Sequence, residues 1–283
     1  MSTPVAGSAA TPPPSRKKVR VPDFARWKSE RHPIAMITAY DATFARLVDD
    51  AGVDAILVGD TLGMVVQGES STIPVSLDEM AYHVRMVSRA TPKALIIGDM
   101  PFGSYQVSPQ QGVETAIRLM KAGAECVKLE GGVIMADTIA AITRVDIPVV
   151  GHIGLTPQSV HRMGGHRVQG RTSGHDAGGR ERLLEDATAV EHAGAFAVVL
   201  EGIPMDLADE ITTKLSIPTI GIGAGVGCDG QVLVLHDVLG LYPSTFTFTK
   251  QYAKLGDAIV EAAATYVDEV RTRTWPDEAH SFR

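Results

Sequence analysis

Eight short runs of aliphatic residues recur along the chain after Pro22, and segments with helical spacing separate most of them. Runs of this length, bounded by turn residues, predict buried strands. Strands that alternate with helices predict parallel pairing through right-handed crossovers. The runs lie at residues 34–39, 53–58, 94–98, 126–129, 147–151, 196–200, 217–222 and 232–235.

Capping signals mark where several of the intervening helices begin and end. Ser76 and Glu79 have the spacing of a capping box and predict the start of a helix. Ser108 followed by Pro109 predicts the start of the next helix, which Gly123 ends. Further helices are predicted at residues 176–192, 204–214 and 252–270.

Eight strands alternating with helices favour an α/β fold of one kind, a closed (β/α)8 TIM barrel, over an open doubly wound sheet. We assign residues 21–283 to one catalytic barrel domain. Residues 1–20 are rich in Ala, Ser, Thr and Pro and predict a disordered tail. The helix at 252–270 is longer than a crossover requires, so we expect it to pack on a neighbouring subunit.

Ionisable residues stand at or near the ends of five predicted strands. In a (β/α)8 barrel these ends share one rim, where the active sites of such enzymes lie. One acid alone could cap the next helix or pair with a local cation, but a set of buried like charges is too costly for that explanation. The five residues are Asp60, Asp99, Glu130, His152 and Glu201.

Carboxylates gathered without cysteine predict a site for a hard, oxygen-preferring cation. Mg²⁺ is the first candidate, because it binds a few carboxylates together with water and substrate oxygens. Mn²⁺ or Co²⁺ could replace it, whereas Zn²⁺ favours more His or Cys ligands. We therefore expect one Mg²⁺ per subunit at this rim.

Lys128 lies two residues before Glu130, so both side chains project from the same face of their strand. Lys128 could neutralise a substrate carboxylate or form a Schiff base. The nearby Glu130 favours a protonated lysine, which cannot attack a carbonyl. A purely structural Lys128–Glu130 ion pair is the alternative.

Glu201 follows the apolar run AVVL, and a carboxylate in apolar surroundings is an effective base near neutral pH. The alternative is that Glu201 caps the helix that follows. We expect His152 to support the site through its neighbours rather than to act directly.

Two glycine-rich loops complete the predicted rim. Residues 221–225, GIGAG, resemble a phosphate-cradling loop, but they contain no Lys or Arg, which favours a tight backbone turn. The loop between the fifth and sixth strands, bracketed by Gly164 and Gly179, has the size and glycine content of a mobile lid or of an ordinary long loop.

Composition excludes several classes of partner. The formal net charge of −7 argues against nucleic acid. No apolar run reaches the roughly 18 residues of a membrane span, and no secretory signal is present. Two cysteines, Cys126 and Cys228, are too few for a disulfide framework. We expect a cytoplasmic protein whose partners are small molecules and copies of itself.

Seven motifs follow one another along the chain: TAYD (38–41), VGDTLGMVVQG (58–68), GDMPFGSY (98–105), VKLEGG (127–132), GHIGLTPQ (151–158), GIGAG (221–225) and DGQVLVLHD (229–237). Taken in order, they resemble the ketopantoate hydroxymethyltransferase family, and the resemblance covers nearly all of residues 21–270. Thr61 stands where that family often has serine, and residues 162–168, Val226 and Cys228 depart from its commonest versions.

The resemblance implies a (β/α)8 barrel that binds Mg²⁺ and forms a homo-oligomer, usually a decamer. It implies transfer of a hydroxymethyl group from 5,10-methylenetetrahydrofolate to 3-methyl-2-oxobutanoate (α-ketoisovalerate), giving 2-dehydropantoate (ketopantoate) on the route to pantothenate and coenzyme A. The implied metal residues are Asp60, Asp99 and Glu130, the oxo-acid residues are Asp60, Thr61, Asp99 and Lys128, and the proton acceptor is Glu201.

The expected mechanism passes through an enolate stabilised by the metal. Glu201 removes the C3 proton, the enolate attacks the methylene unit of the folate, and water releases the product. A second hypothesis is a C–C lyase that acts on metal-bound oxo acids without folate, and a third is a non-catalytic barrel that senses a metabolite. Folate-dependent turnover separates the first two.

Overall fold

The computed structural model describes residues 16–171, 179–242 and 246–282. Within them, eight parallel strands pair in chain order, and the last strand pairs with the first, which confirms the TIM barrel and excludes an open sheet. The strands are β1 (Ile34–Thr38), β2 (Ala55–Val58), β3 (Leu95–Asp99), β4 (Cys126–Glu130), β5 (Val149–Gly154), β6 (Ala197–Glu201), β7 (Thr219–Ile222) and β8 (Gly230–Leu233).

The helices predicted from the caps at Ser76 and Ser108 begin at those residues, and residues 176–178 of the helix predicted at 176–192 lie outside the described residues. Glu79 N donates to Ser76 Oγ, and the Glu79 carboxylate accepts from Ser76 N, so the capping box is complete. Gly123 ends its helix in the left-handed conformation at φ +115°. The helices are α1 (Val21–Glu30), α2 (Ala42–Asp50), α3 (Leu62–Val65), α4 (Leu77–Ser88), α5 (Pro109–Ala122), α6 (Ala136–Thr143), α7 (Val160–Met163), α8 (Gly179–His192), α9 (Met205–Lys214), α10 (Leu235–Leu239) and α11 (Leu255–Thr272).

The two faces of each strand belong to different layers of the barrel. In β4, Val127 and Leu129 pack in the apolar layer between the strands and the helices. Lys128 and Glu130 alternate with them and face the barrel interior, where they line a cavity. The fold therefore buries both charged side chains at the end of an otherwise apolar strand.

Helix α1 covers the N-terminal end of the barrel. Phe24 is fully buried and meets Phe196 edge to face, with ring centroids 5.3 Å apart. Burying a phenylalanine side chain contributes about 1.5–3 kcal/mol. This end of the barrel therefore serves stability, and the opposite rim is left for chemistry.

The segment before α1 corrects the predicted boundary at residue 20. Residues 1–15 of the predicted tail lie outside the described residues. In the described part, Arg16 Nη2 lies 2.6 Å from Asp49 Oδ1, and Lys18 Nζ lies 2.5 Å from Glu125 Oε2. Val19 between them is buried. The packed chain therefore includes Arg16 onwards. Composition could not indicate this, because the contacts join residues that are far apart in the sequence.

The connection from β7 to β8 is a short turn, without the helix that separates most other strand pairs. Gly223 and Gly225 have φ values of +62° and +86°, which an L side chain rarely adopts. The GIGAG segment therefore forms the tight backbone turn that its lack of cations favours.

Helix α11 contains no buried residue, although it carries apolar side chains such as Ile259, Val260 and Tyr266. Packing of this helix on a neighbouring subunit stays a prediction. In the part of the chain that the structure describes, no helix combines the length and the apolar character needed to cross a bilayer.

Candidate active site

The predicted site residues meet at the C-terminal ends of the strands. They line one cavity of about 50 Å³, which we call the inner cavity. The adjoining ends of β2, β3, β4, β5 and β6 supply the side chains, so residues far apart in the sequence become neighbours. The predicted residues in its wall are Asp60, Thr61, Asp99, Lys128, Glu130, His152 and Glu201.

Lys128 forms its ion pair with Asp99 and not with Glu130. The two residues are register partners on neighbouring strands, and Lys128 Nζ lies 2.7 Å from Asp99 Oδ1. Burial acts to lower the pKa of Lys128, but the charges of Asp99, Glu130 and Asp60 outweigh it and raise that pKa. Lys128 is therefore a fixed cation, which argues against a Schiff base.

If all were ionised, the acids of the inner cavity would carry more negative charge than one lysine can balance. Burial, reinforced by the charge of Asp99, raises the pKa of Asp60 to about 7. Burial also raises the pKa of Glu130 well above its ordinary value, against the attraction of Lys128. The backbone amide Asp60 N donates to Asp99 Oδ2 at 3.1 Å, so the chain at Asp60 holds the Asp99 carboxylate. A bound cation would favour the ionised forms of these acids.

The donor set of the site fits Mg²⁺. Within the described ranges, no group of three or more His, Cys, Asp or Glu side chains has the arrangement of a metal site. Mg²⁺ needs fewer protein ligands, because one or two carboxylates suffice when water and substrate oxygens complete the octahedron. Asp60 and Asp99 carry such oxygens, and their role as metal ligands stays a prediction. Glu130 Oε2 accepts from Gln158 N at 3.0 Å, and its role as a metal ligand stays a prediction.

His152 lies between Lys128 and Glu201. Its Nδ1 is 3.3 Å from Lys128 Nζ, and its Nε2 is 3.2 Å from Glu201 Oε2. Burial, with the charge of Lys128, lowers the pKa of His152, so the ring is neutral. Because an ammonium group can only donate, Nδ1 accepts and we assign the remaining ring proton to Nε2, which points at Glu201. His152 is therefore placed beside Glu201, and its supporting role stays a prediction.

Gln158 is the main site residue that sequence reasoning missed. Its Nε2 donates to Asp60 Oδ2 at 2.9 Å and to Met100 O at 3.0 Å. Its Oε1 accepts from Tyr105 Oη at 2.7 Å. Gln158 and Tyr105 lie in GHIGLTPQ and GDMPFGSY, and only their places in these motifs could have indicated them, because both side chains are neutral.

A second, larger cavity of about 660 Å³ adjoins the inner cavity, and we call it the outer cavity. Its wall includes parts of the loops that follow β2, β5 and β8. This volume is within the range of cavities that hold drug-sized ligands. The residues shared by the walls of the two cavities are Thr61, Pro157, Glu201, Ile222 and Val234.

The fold and the site define an enzyme of the (β/α)8-barrel class, with a buried lysine–acid site at the C-terminal ends of its strands. The family model for ketopantoate hydroxymethyltransferase matches residues 18–278. The chain belongs to that family and is a transferase.

Two curated relatives, both named 3-methyl-2-oxobutanoate hydroxymethyltransferase, agree with this assignment. The protein from Pelobacter propionicus is 56% identical over 269 residues, which cover 94% of this chain and 98% of the relative. The protein from Trichlorobacter lovleyi is 55% identical over 269 residues, which cover 94% and 99%.

Solved structures at low sequence identity share the barrel. A 2,3-dimethylmalate lyase of the PEP mutase/isocitrate lyase superfamily aligns with a TM-score of 0.60 at 18% identity, over 93% of this chain and 92% of that one. A phosphonopyruvate hydrolase aligns with a TM-score of 0.60 at 12% identity, over 94% and 92%. At these identities the likeness supports the fold alone.

Proposed function

We propose that this protein transfers a hydroxymethyl group from 5,10-methylenetetrahydrofolate to C3 of 3-methyl-2-oxobutanoate. The product is 2-dehydropantoate, on the route to pantothenate and coenzyme A. The names of the curated relatives support the oxo acid. The observation that carries the proposal is the arrangement of the inner cavity, with a fixed cation and two acids at one end and Glu201 at the other.

Mg²⁺ belongs to this proposal, with Asp60 and Asp99 as the residues that would hold it and Glu130 beside them. When bound there, it would polarise the ketone of the oxo acid and favour loss of the C3 proton. The donor set, and the raised pKa values of Asp60 and Glu130, which a bound cation would lower, support this assignment.

The remaining side chains of the inner cavity bind the oxo acid and remove its C3 proton. Lys128 binds the substrate carboxylate by charge, and Thr61 offers a hydroxyl beside it. Glu201, oriented by His152, takes the proton from C3, and the electron pair of the C–H bond stays on the oxo acid as its enolate. General base catalysis of this kind contributes about 10²–10⁴-fold.

Carbon–carbon bond formation consumes one water for each turnover. We propose that water first releases the methylene unit of the folate as formaldehyde, with tetrahydrofolate as the leaving amine. C3 of the enolate then adds to the formaldehyde carbon, and the new alkoxide takes up a proton to become the hydroxymethyl group. This order replaces the one expected from the resemblance, in which the enolate attacks the methylene unit while it is still bound to the folate. That order would leave C3 quaternary and bonded through CH₂ to nitrogen, and water has no easy route to displace that amine.

We further propose a homo-oligomer, of decameric size by resemblance, located in the cytoplasm. The apolar side chains of α11, none of them buried, support an interface between copies of the chain. The free thiols of Cys126 and Cys228 agree with a reducing compartment. Light scattering of the full chain tests the assembly, and a concentration-independent monomer would contradict it.

A turnover assay with purified protein tests the proposed function. Formation of 2-dehydropantoate should require the oxo acid, 5,10-methylenetetrahydrofolate and Mg²⁺ together. Cleavage of the oxo acid without folate would instead support a lyase. Binding of the oxo acid without exchange of its C3 proton and without turnover would support a metabolite sensor.

A further inference from the structure

The outer cavity is placed where a second reactant must lie. Glu201 belongs to the walls of both cavities, so a molecule in the outer cavity reaches the same carboxylate as the oxo acid in the inner one. The inner cavity, at about 50 Å³, has room for the small polar head of an oxo acid but not for a heteroaromatic ring system as well. A one-carbon unit that meets C3 beside Glu201 therefore has to enter from the outer cavity.

Flat aromatic side chains form part of the outer wall. Phe246 and Phe248 stack with ring centroids 5.3 Å apart and 26° between their planes. His166 meets Phe246 edge to face at 5.8 Å. Aromatic faces of this kind stack favourably on the π-systems of heterocyclic bases. The aromatic part of the wall therefore offers a face on which a flat ring can stack.

The charge of the outer cavity limits the ligand further. Among the described residues in its wall there is no Lys or Arg, whereas Glu69, Asp237 and Glu201 are acidic. Phosphate groups, and with them nucleotide cofactors, are disfavoured there. A ring that presents N–H donors is favoured, because ionised carboxylates only accept hydrogen bonds.

Asp237 is the carboxylate that we assign to accept hydrogen bonds from such a ring. It is 4% exposed, lies in α10 and lines the outer cavity. Burial, followed by the charge of Asp237 and a hydrogen bond to it, raises the pKa of Tyr242, so the phenol keeps its proton and donates. A carboxylate has about four lone-pair sites, so Asp237 can accept from Tyr242 and from a ligand together.

We propose that the outer cavity binds the pteridine ring of the one-carbon donor, with Asp237 accepting from its 2-amino and N3–H groups and Phe248 packing on its face. This assignment rests on the proposed function, and it identifies the folate-binding residues that the sequence motifs do not reveal. The glutamate tail of the donor then extends towards solvent, away from the acids of the wall.

Steady-state kinetics of the full-length protein test this site. Asp237→Asn and Phe248→Leu should each raise KM for 5,10-methylenetetrahydrofolate about 10-fold or more, since each removes one recognition contact. The matched control is Asp50→Asn, which changes an exposed acid at the end of α2 and should leave that KM unchanged. Exchange of the C3 proton into D₂O without folate is measured in parallel, because it reports on the oxo-acid end alone.

The outcomes separate the two proposals. A rise in donor KM larger than any change in C3 exchange, in either variant, supports the pteridine site. An unchanged KM for the folate donor in both variants overturns it. A fall in the rate of C3 proton exchange by the same factor as the rise in donor KM also overturns it. If the wild-type protein exchanges the C3 proton but shows no folate-dependent turnover, the donor in the proposed function is wrong, and the pteridine site fails with it.

Discussion

Gln158 should control how firmly the acids of the inner cavity are held. Replacing it with methionine keeps a similar volume but removes every side-chain hydrogen bond. The change leaves two groups, the Asp60 carboxylate and the carbonyl of Met100, without this partner. Tyr105 Oη also loses its hydrogen bond to Gln158 but can still donate to Glu130 O, at 3.2 Å. Each buried polar group left unsatisfied costs about 1–3 kcal/mol, so we expect the free energy of unfolding to fall by roughly 2 kcal/mol or more.

The functional loss should exceed what reduced stability explains. Partners that orient metal-binding side chains typically account for about 10–100-fold in metal affinity or activity. We therefore expect Gln158→Met to weaken Mg²⁺ binding and to lower kcat/KM for the oxo acid, each by a factor in that range. Isothermal titration with Mg²⁺ at a temperature where the variant stays folded measures the first, and initial rates measure the second.

Gln106 supplies a matched control, because its Nε2 donates to Gln158 Oε1 at 3.1 Å and no hydrogen bond of its side chain reaches Asp60. Gln106→Met should change Mg²⁺ affinity by less than about 3-fold. If folded Gln158→Met binds Mg²⁺ as tightly as the wild-type protein, Gln158 does not position Asp60 for a metal, and the reasoning is refuted.

Three further predictions follow from the same site. Glu201→Gln should slow exchange of the C3 proton into D₂O by about 10²–10⁴-fold while calorimetry still detects oxo-acid binding; exchange at the normal rate would remove Glu201 from its role. Asp99→Ala should weaken both Mg²⁺ and oxo-acid binding, since it also leaves Lys128 without its ion-pair partner, and unchanged Mg²⁺ affinity would refute the ligand assignment. In the metal-free protein, burial raises the pKa of Asp60 from an ordinary 3.8 to about 7. Protonated Asp60 therefore contributes fully to stability below pH 3.8, and this contribution is lost as the pH rises through 7. The loss amounts to at most about 4 kcal/mol. Tm without Mg²⁺ should therefore fall between pH 5 and pH 8, with a smaller decrease in Asp60→Asn, and added Mg²⁺ should raise Tm more at pH 8; a Tm that rises with pH in its absence would contradict this.

The barrel could be predicted from local signals because each signal acts over few residues. The capping box at Ser76 and the left-handed Gly123 need only their immediate neighbours to mark a helix end. The gathering of acids at one rim followed from topology alone, since parallel strands of a closed barrel end on the same side.

The sequence alone did not predict which side chains pair between neighbouring strands. Lys128 is two residues from Glu130 in the chain, yet the register of β3 against β4 places Asp99 beside it. Gln158 was not predicted for a related reason. Its side chain is neutral, and only the fold brings Asp60 and Met100 close enough to accept its hydrogen bonds. The packing of Arg16 against Asp49 likewise depends on contacts across the barrel end, which composition cannot indicate.

The position of His152 keeps two opposite charges from cancelling. An ammonium group in direct contact with the Glu201 carboxylate would occupy its lone pairs and block proton uptake from a substrate. The uncharged imidazole of His152 separates them: its Nδ1 lies 3.3 Å from Lys128 Nζ and its Nε2 lies 3.2 Å from Glu201 Oε2. The ring therefore keeps the ammonium group out of direct contact with the carboxylate. One small chamber can thus hold a permanent positive charge for anchoring an acid and, a ring's width away, a carboxylate that remains available to the carbon being activated.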